Sequence, residues 1–128
     1  LENTFLPDYD ADTTIQYGDI SLGMPLFVIA ASQHSDSHTD LINGLATRLE
    51  ALVDEDGMIS NESENTDGLE QPSAYGLMAL KQIESDHAQN VQNYLESSVD
   101  DQGRIYDPVT YMETYEVEGE VLRALTLR

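Results

Sequence analysis

A pattern of eleven residues occurs twice in this chain and constrains its fold more than any other feature. Residues 49–59 read LEALVDEDGMI, and residues 95–105 read LESSVDDQGRI, so that Gly57 and Gly103 stand 46 positions apart. A polar loop and a second matched piece follow each copy, YGLMAL at 75–80 and VLRAL at 121–125. A period of this length, with apolar helical segments on both sides of an acidic glycine turn, is typical of a repeated pair of helices.

Apolar residues recur at steps of three and four along the chain, which predicts an all-α fold of tandem antiparallel helical hairpins. We interpret residues 1–128 as a single helical-repeat domain. Residues 1–18 are predicted to be an extended lead-in. The hairpin units are predicted at 19–53, 72–99 and 115–128. The chain begins without a signal peptide and stops inside an apolar helical pattern without a C-cap, so we expect it to be a fragment of a longer chain.

The layout of residues 40–128 resembles the α/α-toroid repeat of prenyltransferases, terpene cyclases and the six-hairpin enzymes of carbohydrate metabolism. The resemblance implies an arc of hairpins, or part of a closed ring, with an active site in the bowl formed by the starts of the inner helices. This chain departs from those families in several ways. Met58 and Arg104 stand where an aromatic residue often follows the turn glycine, and the chain has neither an Asp-x-Asp-Asp motif nor a set of zinc ligands. No catalytic residue is therefore carried over from the resemblance.

The chain is strongly acidic, with 25 acidic and five basic residues and a net charge of −20. Nucleic-acid binding is excluded because it requires clustered Lys and Arg, and an anionic membrane surface is excluded for the same reason. The acidic residues are spread over loops and helix ends, which favours a halophilic protein from a high-salt cytoplasm or a hypersaline exterior. An acidic protein that binds a basic partner is the alternative. No apolar run approaches the ~18 residues of a transmembrane span, and there is no cysteine.

The charge leads to a prediction about salt. We expect the melting temperature at neutral pH to rise steeply between about 0.1 M and about 1 M KCl, because the Debye length falls from ~10 Å to ~3 Å and screens the self-repulsion of the chain. Thermal unfolding followed by circular dichroism measures this rise. A melting temperature that stays constant over this range would contradict the halophilic interpretation and favour the basic-partner alternative.

Tyrosines and carboxylates are concentrated in loops and at the predicted starts of the inner helices. A tyrosine combines an apolar ring with a polar tip, which suits the face of a sugar. Paired carboxylates at a suitable separation can act as acid and base on a glycosidic bond. The alternative is that the tyrosines pack loops onto the helices and the acids hold water or complement helix dipoles. The predicted substrate-binding residues are Tyr17, Tyr75, Tyr115, Glu70, Glu113 and Glu116.

Two patterns resemble metal sites, and neither supports one. The acidic turn before Gly57 has the register of an EF-hand loop, but Leu52 and Ser63 would occupy its first and last ligand positions, where neither residue can chelate. His34 and His38 stand four apart, but the residues between them are typical of a turn and a helix N-cap. The sequence therefore predicts no metal and no cofactor.

Two functions remain open from the sequence. The domain is part of a toroid enzyme that binds and processes a glycan, or it is a non-catalytic helical repeat that supports or docks another domain or subunit. The clustering of tyrosines and acids favours the first, and the missing catalytic motifs favour the second. The expected partners are a glycan and either the remaining repeats of a longer chain or further copies in a homo-oligomer.

Overall fold

A computed structural model describes residues 18–32, 35–59, 70–106 and 112–128 of the chain. These residues form five α-helices and one turn of 3₁₀-helix at Ser35–His38. The described residues contain two isolated β-bridges but no strand, so the predicted all-α class is confirmed. Most of the predicted lead-in, residues 1–17, lies outside the described residues. The helices are α1 (Gly18–Ala31), α2 (Thr39–Ala51), α3 (Glu70–Gln82), α4 (Ala88–Ser98) and α5 (Tyr115–Thr126).

Three helix ends differ by two residues from the predicted unit boundaries, and one of them is the end of α5, at Thr126 rather than at Arg128. Helix α2 ends at Ala51 rather than at Val53, because Val53 forms an isolated bridge with Ile59 across the acidic turn. Helix α3 begins at Glu70, and Pro72 lies within its first turn, where a proline is tolerated because the N–H groups have no partner inside the helix. These shifts leave the order of the helices unchanged.

Helix α3 is the centre of the described fold. It packs against α1, α4 and α5, whereas α2 packs against α1. Its small residues Ala74, Gly76 and Ala79 are buried, and they let neighbouring side chains approach its backbone. Ala124 of α5, which stands 45 positions after Ala79, is also fully buried. The core therefore forms around the helix that carries the first copy of the small-residue pattern.

The acidic turn after α2 is held together by the carboxylate of Asp54. Its Oδ1 atom accepts hydrogen bonds from the backbone N–H groups of Asp56, at 3.0 Å, and Met58, at 2.9 Å. The Gly57 N–H donates to the Asp54 carbonyl oxygen, and the Asp54 N–H donates to that of Met58. Gly57 has a φ of 85°, which an L-amino acid with a side chain adopts only at a cost.

The turn after α4 repeats this hydrogen bonding. Asp100 Oδ1 accepts from the N–H groups of Gln102 and Arg104, both at 2.9 Å. The Gly103 N–H donates to the Asp100 carbonyl oxygen, and Gly103 has a φ of 80°. The prediction that Gly57 and Gly103 occupy equivalent turns is therefore confirmed, and it rests on the spacing of an aspartate and a glycine three residues apart.

Candidate functional site

A groove runs between the second acidic turn and the outward face of α5. Its volume is about 360 Å³. The side chains that line it are mostly apolar, with a carboxylate and a phenol among them. Its lining residues are Val99, Gly103, Ile105, Tyr115, Glu118, Gly119, Val121, Leu122 and Leu125. We call this the α5 groove.

The corresponding positions on α3, 45 residues earlier, are buried. Leu77 corresponds to Leu122, and its exposed fraction is 0%, compared with 63% for Leu122. Ala74 corresponds to Gly119, and Ala74 is also fully buried whereas Gly119 is exposed. The same face of the helical pattern is therefore covered in α3 and open to solvent in α5.

The two turn glycines differ in what lies against them. A Cβ atom placed on Gly57 would overlap the carbonyl group of Asn90 and lie 3.1 Å from the nitrogen of Val91. Both of those residues belong to α4, so the backbone of α4 rests directly on the first turn. A Cβ atom placed on Gly103 would meet no atom of the described residues within 4 Å. Among the described helices, none therefore rests on the second turn as α4 rests on the first.

Each turn is also tied to the helix that follows it. The Ile59 N–H donates to Ser73 Oγ at 3.0 Å, and the Ile105 N–H donates to Glu118 Oε1 at 2.9 Å. Ser73 and Glu118 stand 45 positions apart, so a glutamate takes the place of a serine in the second copy. This replacement brings a titratable carboxylate to the rim of the α5 groove.

A pair of carboxyl groups lies at that rim. Glu113 is hydrogen-bonded to Glu118, and Tyr115 donates a hydrogen bond to Glu113. Partial burial and the neighbouring Glu118 raise the pKa of Glu113, because its charged form is desolvated and repelled. The carboxylate of Glu113 in turn raises the pKa of Tyr115. Glu113 therefore binds a proton more readily than an isolated glutamate does.

Arginine and tyrosine complete the polar cluster. Arg104 Nε donates to Asp100 Oδ2 at 3.1 Å, and the guanidinium lies 5.6 Å from the centre of the Tyr106 ring. Tyr106 forms an isolated bridge with Glu113, which brings the two segments together. We call Arg104, Tyr106, Glu113, Tyr115 and Glu118 the rim cluster. It can offer a ligand two exposed aromatic rings, a cation and a pair of carboxyl groups.

The carboxyl pair leads to a pH prediction. Because folding raises the pKa of Glu113, the native state binds more protons than the unfolded state, and stability falls as pH rises through the unfolded and then the folded pKa. We therefore expect Glu113→Gln to raise the midpoint of urea unfolding at neutral pH and to leave it nearly unchanged well below the unfolded pKa. Glu116→Gln, in the first turn of α5, is the matched control for loss of one negative charge. An equal gain in both variants at both pH values would contradict the assignment.

The predicted site residues are distributed over several environments. Tyr75 is half-buried, and its hydroxyl donates to Glu120 Oε1 at 3.0 Å. Burial and this glutamate raise the pKa of Tyr75, and Glu116 contributes to the same effect. Tyr75 and Glu116 therefore lie in one neighbourhood, between α3 and α5. Tyr17 lies outside the described residues.

The remaining predicted residues have other neighbours. Tyr115 is 74% exposed and is bonded to Glu113 in the rim cluster. Glu70 acts on a different tyrosine, because its charge contributes to the raised pKa of Tyr94, after the larger effect of burial. Among the described residues, Tyr75 and Tyr115 thus have different hydrogen-bonding partners rather than a shared one.

Sequence reasoning missed Glu120, which links α3 to α5. Its Oε1 atom accepts from both Tyr75 and Gln71, the latter at 3.1 Å. Its Oε2 atom is buried and has no hydrogen-bonding partner within the described part of the chain. An alignment of the two copies of the sequence pattern could have pointed to Glu120, because it stands 45 positions after Tyr75 and occupies the equivalent position.

Lys81, the only lysine of the chain, binds the C-terminal end of α5. Its Nζ atom donates to the carbonyl oxygens of Ala124 at 2.7 Å, Leu125 at 3.1 Å and Leu127 at 3.0 Å. Burial lowers the pKa of Lys81. The ammonium group satisfies carbonyls at the C-terminal end of α5 that have no partner inside the helix, and it sits beside a cavity of about 690 Å³.

Within the described ranges, no group of three or more His, Asp or Glu side chains is placed to hold a metal ion, and His34 lies outside those ranges. None of the described helices is long and apolar enough to cross a membrane. Comparison with protein-family models, with curated proteins and with solved structures gives no match.

Proposed function

We propose that this domain is a non-catalytic helical-repeat module of a salt-adapted protein and that it docks a further helical element in the α5 groove. Its helices form tandem antiparallel hairpins in this proposal, as in an arc of an α/α toroid. One observation carries the proposal. The turn at Gly57 is covered by the backbone of α4, whereas a Cβ atom placed on Gly103 would meet no described residue within 4 Å.

The energetics of the groove support docking. Covering a leucine side chain with another apolar surface contributes about 1.5–3 kcal/mol, and Leu122 is mostly exposed. The turn at Gly103 is already formed, and its backbone hydrogen bonds are already made. A docking helix therefore meets a preorganised surface, and little conformational entropy is lost on the side of this domain.

A chain extended by one repeat tests this proposal. Residues 84–128 are repeated directly after Arg128, so that every added residue stands 45 positions after its original. The added copy of α4 then follows α5 as α4 follows α3. We expect the added hairpin to fold onto the groove, because repeat arrays gain stability from each new interface between neighbours. Urea unfolding should show a single transition with a higher midpoint and a steeper dependence on denaturant, since more surface is buried.

The matched control is the same extended chain with Leu122→Glu, which places a charge in the groove at a position that is exposed in the parent domain. This chain should lose the gain in midpoint and unfold its added segment separately. A parent chain and an extended chain with the same midpoint and the same denaturant dependence would contradict docking at the groove.

Glycan binding at the rim cluster is a second candidate. The exposed rings of Tyr106 and Tyr115 beside the Glu113–Glu118 pair favour it. Hydrolysis is less well supported, because two carboxyl groups joined by a hydrogen bond are closer than the ~5–5.5 Å found in retaining glycosidases. This candidate is therefore the binding of a sugar ring rather than its cleavage.

Calorimetric titration with oligosaccharides tests the second candidate. A wild-type protein that binds a glycan, and a Tyr115→Ala variant that binds it at least about tenfold more weakly, would support it. Tyr75→Ala tests the alternative location between α3 and α5. Wild-type protein that releases no heat with any glycan would remove this candidate and leave docking unaffected.

A further inference from the structure

Helix α1 exposes an apolar pair with the same spacing as a buried apolar pair of α4, the helix that lies against the first turn. In α4, Val91 and Leu95 stand four residues apart and are fully buried. In α1, Met24 and Val28 also stand four residues apart, but they are 42% and 50% exposed. Residues four apart lie on one face of a helix. Helix α1 therefore presents to solvent the kind of apolar face that α4 buries.

The charges of the two surfaces are compatible. Residues 24–31, which form the C-terminal half of α1, contain no ionisable side chain. The α5 groove has acidic groups at its rim, among them Glu118 and Asp100. In a chain with a net charge of −20, an exposed apolar helix without acids is the element that meets an acidic rim with the least repulsion.

The two surfaces lie on different helices and do not cover each other. Helices α1 and α5 both pack against α3, and they share no extensive contact among the described helices. One copy of the chain thus has an apolar helix to offer and a separate groove to receive one.

We propose that a second copy of this chain inserts the Met24–Val28 face of its α1 into the α5 groove, so that copies associate head to tail. This inference rests on the proposed docking function and names its partner. The contact is heterologous, because different surfaces meet, and it therefore produces rings or open chains rather than an isolated pair. The high negative charge of each copy makes association depend on salt.

Light scattering coupled to size-exclusion chromatography tests the proposal. In about 1 M KCl we expect wild-type protein to form species larger than a monomer, and in about 0.1 M KCl we expect these to dissociate. Val28→Glu and Leu122→Glu should each be monomeric in high salt, with association weakened at least about tenfold. Met112→Glu, which adds the same charge at an exposed apolar residue that does not line the groove, should associate like the wild type.

Mixing the two monomeric variants gives the decisive result. The Val28→Glu copy keeps an intact groove and the Leu122→Glu copy keeps an intact α1 face, so the mixture should form a heterodimer that grows no further. If contacts joined two α1 faces or two grooves instead, one of the single variants would dimerise alone, which would overturn the head-to-tail arrangement.

The outcome also separates this inference from the proposed function. A wild-type protein that stays monomeric at high salt, together with an extended chain that is stabilised, would overturn self-association and leave docking in place. An extended chain that gains no stability would overturn both. Circular dichroism of each variant confirms that the helices are intact, as expected for substitutions at exposed positions.

Discussion

Gly57→Ala is expected to destabilise the domain by about 2–5 kcal/mol. About 1–2 kcal/mol comes from placing a side chain on a residue with positive φ, and about 1–3 kcal/mol comes from overpacking against α4. The new Cβ atom overlaps the carbonyl group of Asn90, which is backbone and cannot rotate away. Helix α4 has to move off the turn as a unit, and its buried residues Val91 and Leu95 lose contacts with the core.

Gly103→Ala is the matched control for this substitution. Gly103 has nearly the same φ and the same hydrogen bonds, but a Cβ atom there meets no atom of the described part of the chain within 4 Å. We expect it to cost only the conformational part, about 1–2 kcal/mol. Urea unfolding of both variants measures the difference. Equal costs for the two substitutions would show that α4 does not rest on the first turn.

The second large effect is expected for Leu77→Ala. Leu77 is fully buried in α3, so its truncation should cost about 2–5 kcal/mol through lost transfer energy and the cavity left behind. Leu122→Ala changes the same residue type at the equivalent position of α5. Because Leu122 is mostly exposed, we expect a change within about 0.5 kcal/mol.

The comparison of these two leucines is informative because their sequence contexts are similar and their surroundings differ. Thermal and urea unfolding should rank the two variants in the same order. A Leu122→Ala variant as destabilised as Leu77→Ala would mean that the α5 groove is already covered in solution. Unfolding measured at high salt and at low protein concentration then shows whether a second copy or the chain itself covers the α5 groove.

Much of the architecture is predictable from the repeated pattern. The spacing of Asp54 and Gly57, matched by Asp100 and Gly103, predicts two equivalent turns, and the structure has them. The helices themselves are predictable because apolar residues recur at steps of three and four. The α5 groove was not predictable in the same way, because a repeat shows that two surfaces are alike and does not show which of them is covered.

The candidate site was harder to predict because equivalent positions were not aligned residue by residue. Tyr75 and Tyr115 both lie near the start of a helix that follows a long loop, and this position alone would predict that they converge. In the 45-residue period, however, Tyr75 corresponds to Glu120 and Tyr115 corresponds to Glu70. The two tyrosines therefore sit at different heights on their helices, and Tyr75 bonds Glu120 while Tyr115 bonds Glu113.

Long-range polar contacts were also beyond the sequence pattern. Lys81 reaches carbonyl oxygens more than 40 positions away, and only the packing of α3 against α5 brings them into range. In the hydrogen bond that joins each turn to the following helix, Glu118 stands where the first copy has Ser73. This difference places a carboxylate beside Glu113. Composition alone indicates many acids and does not indicate which two share a hydrogen bond.

The central claim is that the α5 groove is a second, unfilled version of the site that α4 occupies at Gly57. The most direct test is the cost of Gly103→Ala in the chain extended by residues 84–128, compared with its cost in the parent chain. If the added α4 rests on the second turn, the cost should rise from about 1–2 kcal/mol to about 2–5 kcal/mol, the value expected at Gly57. An equal cost of Gly103→Ala in the two chains would contradict the claim.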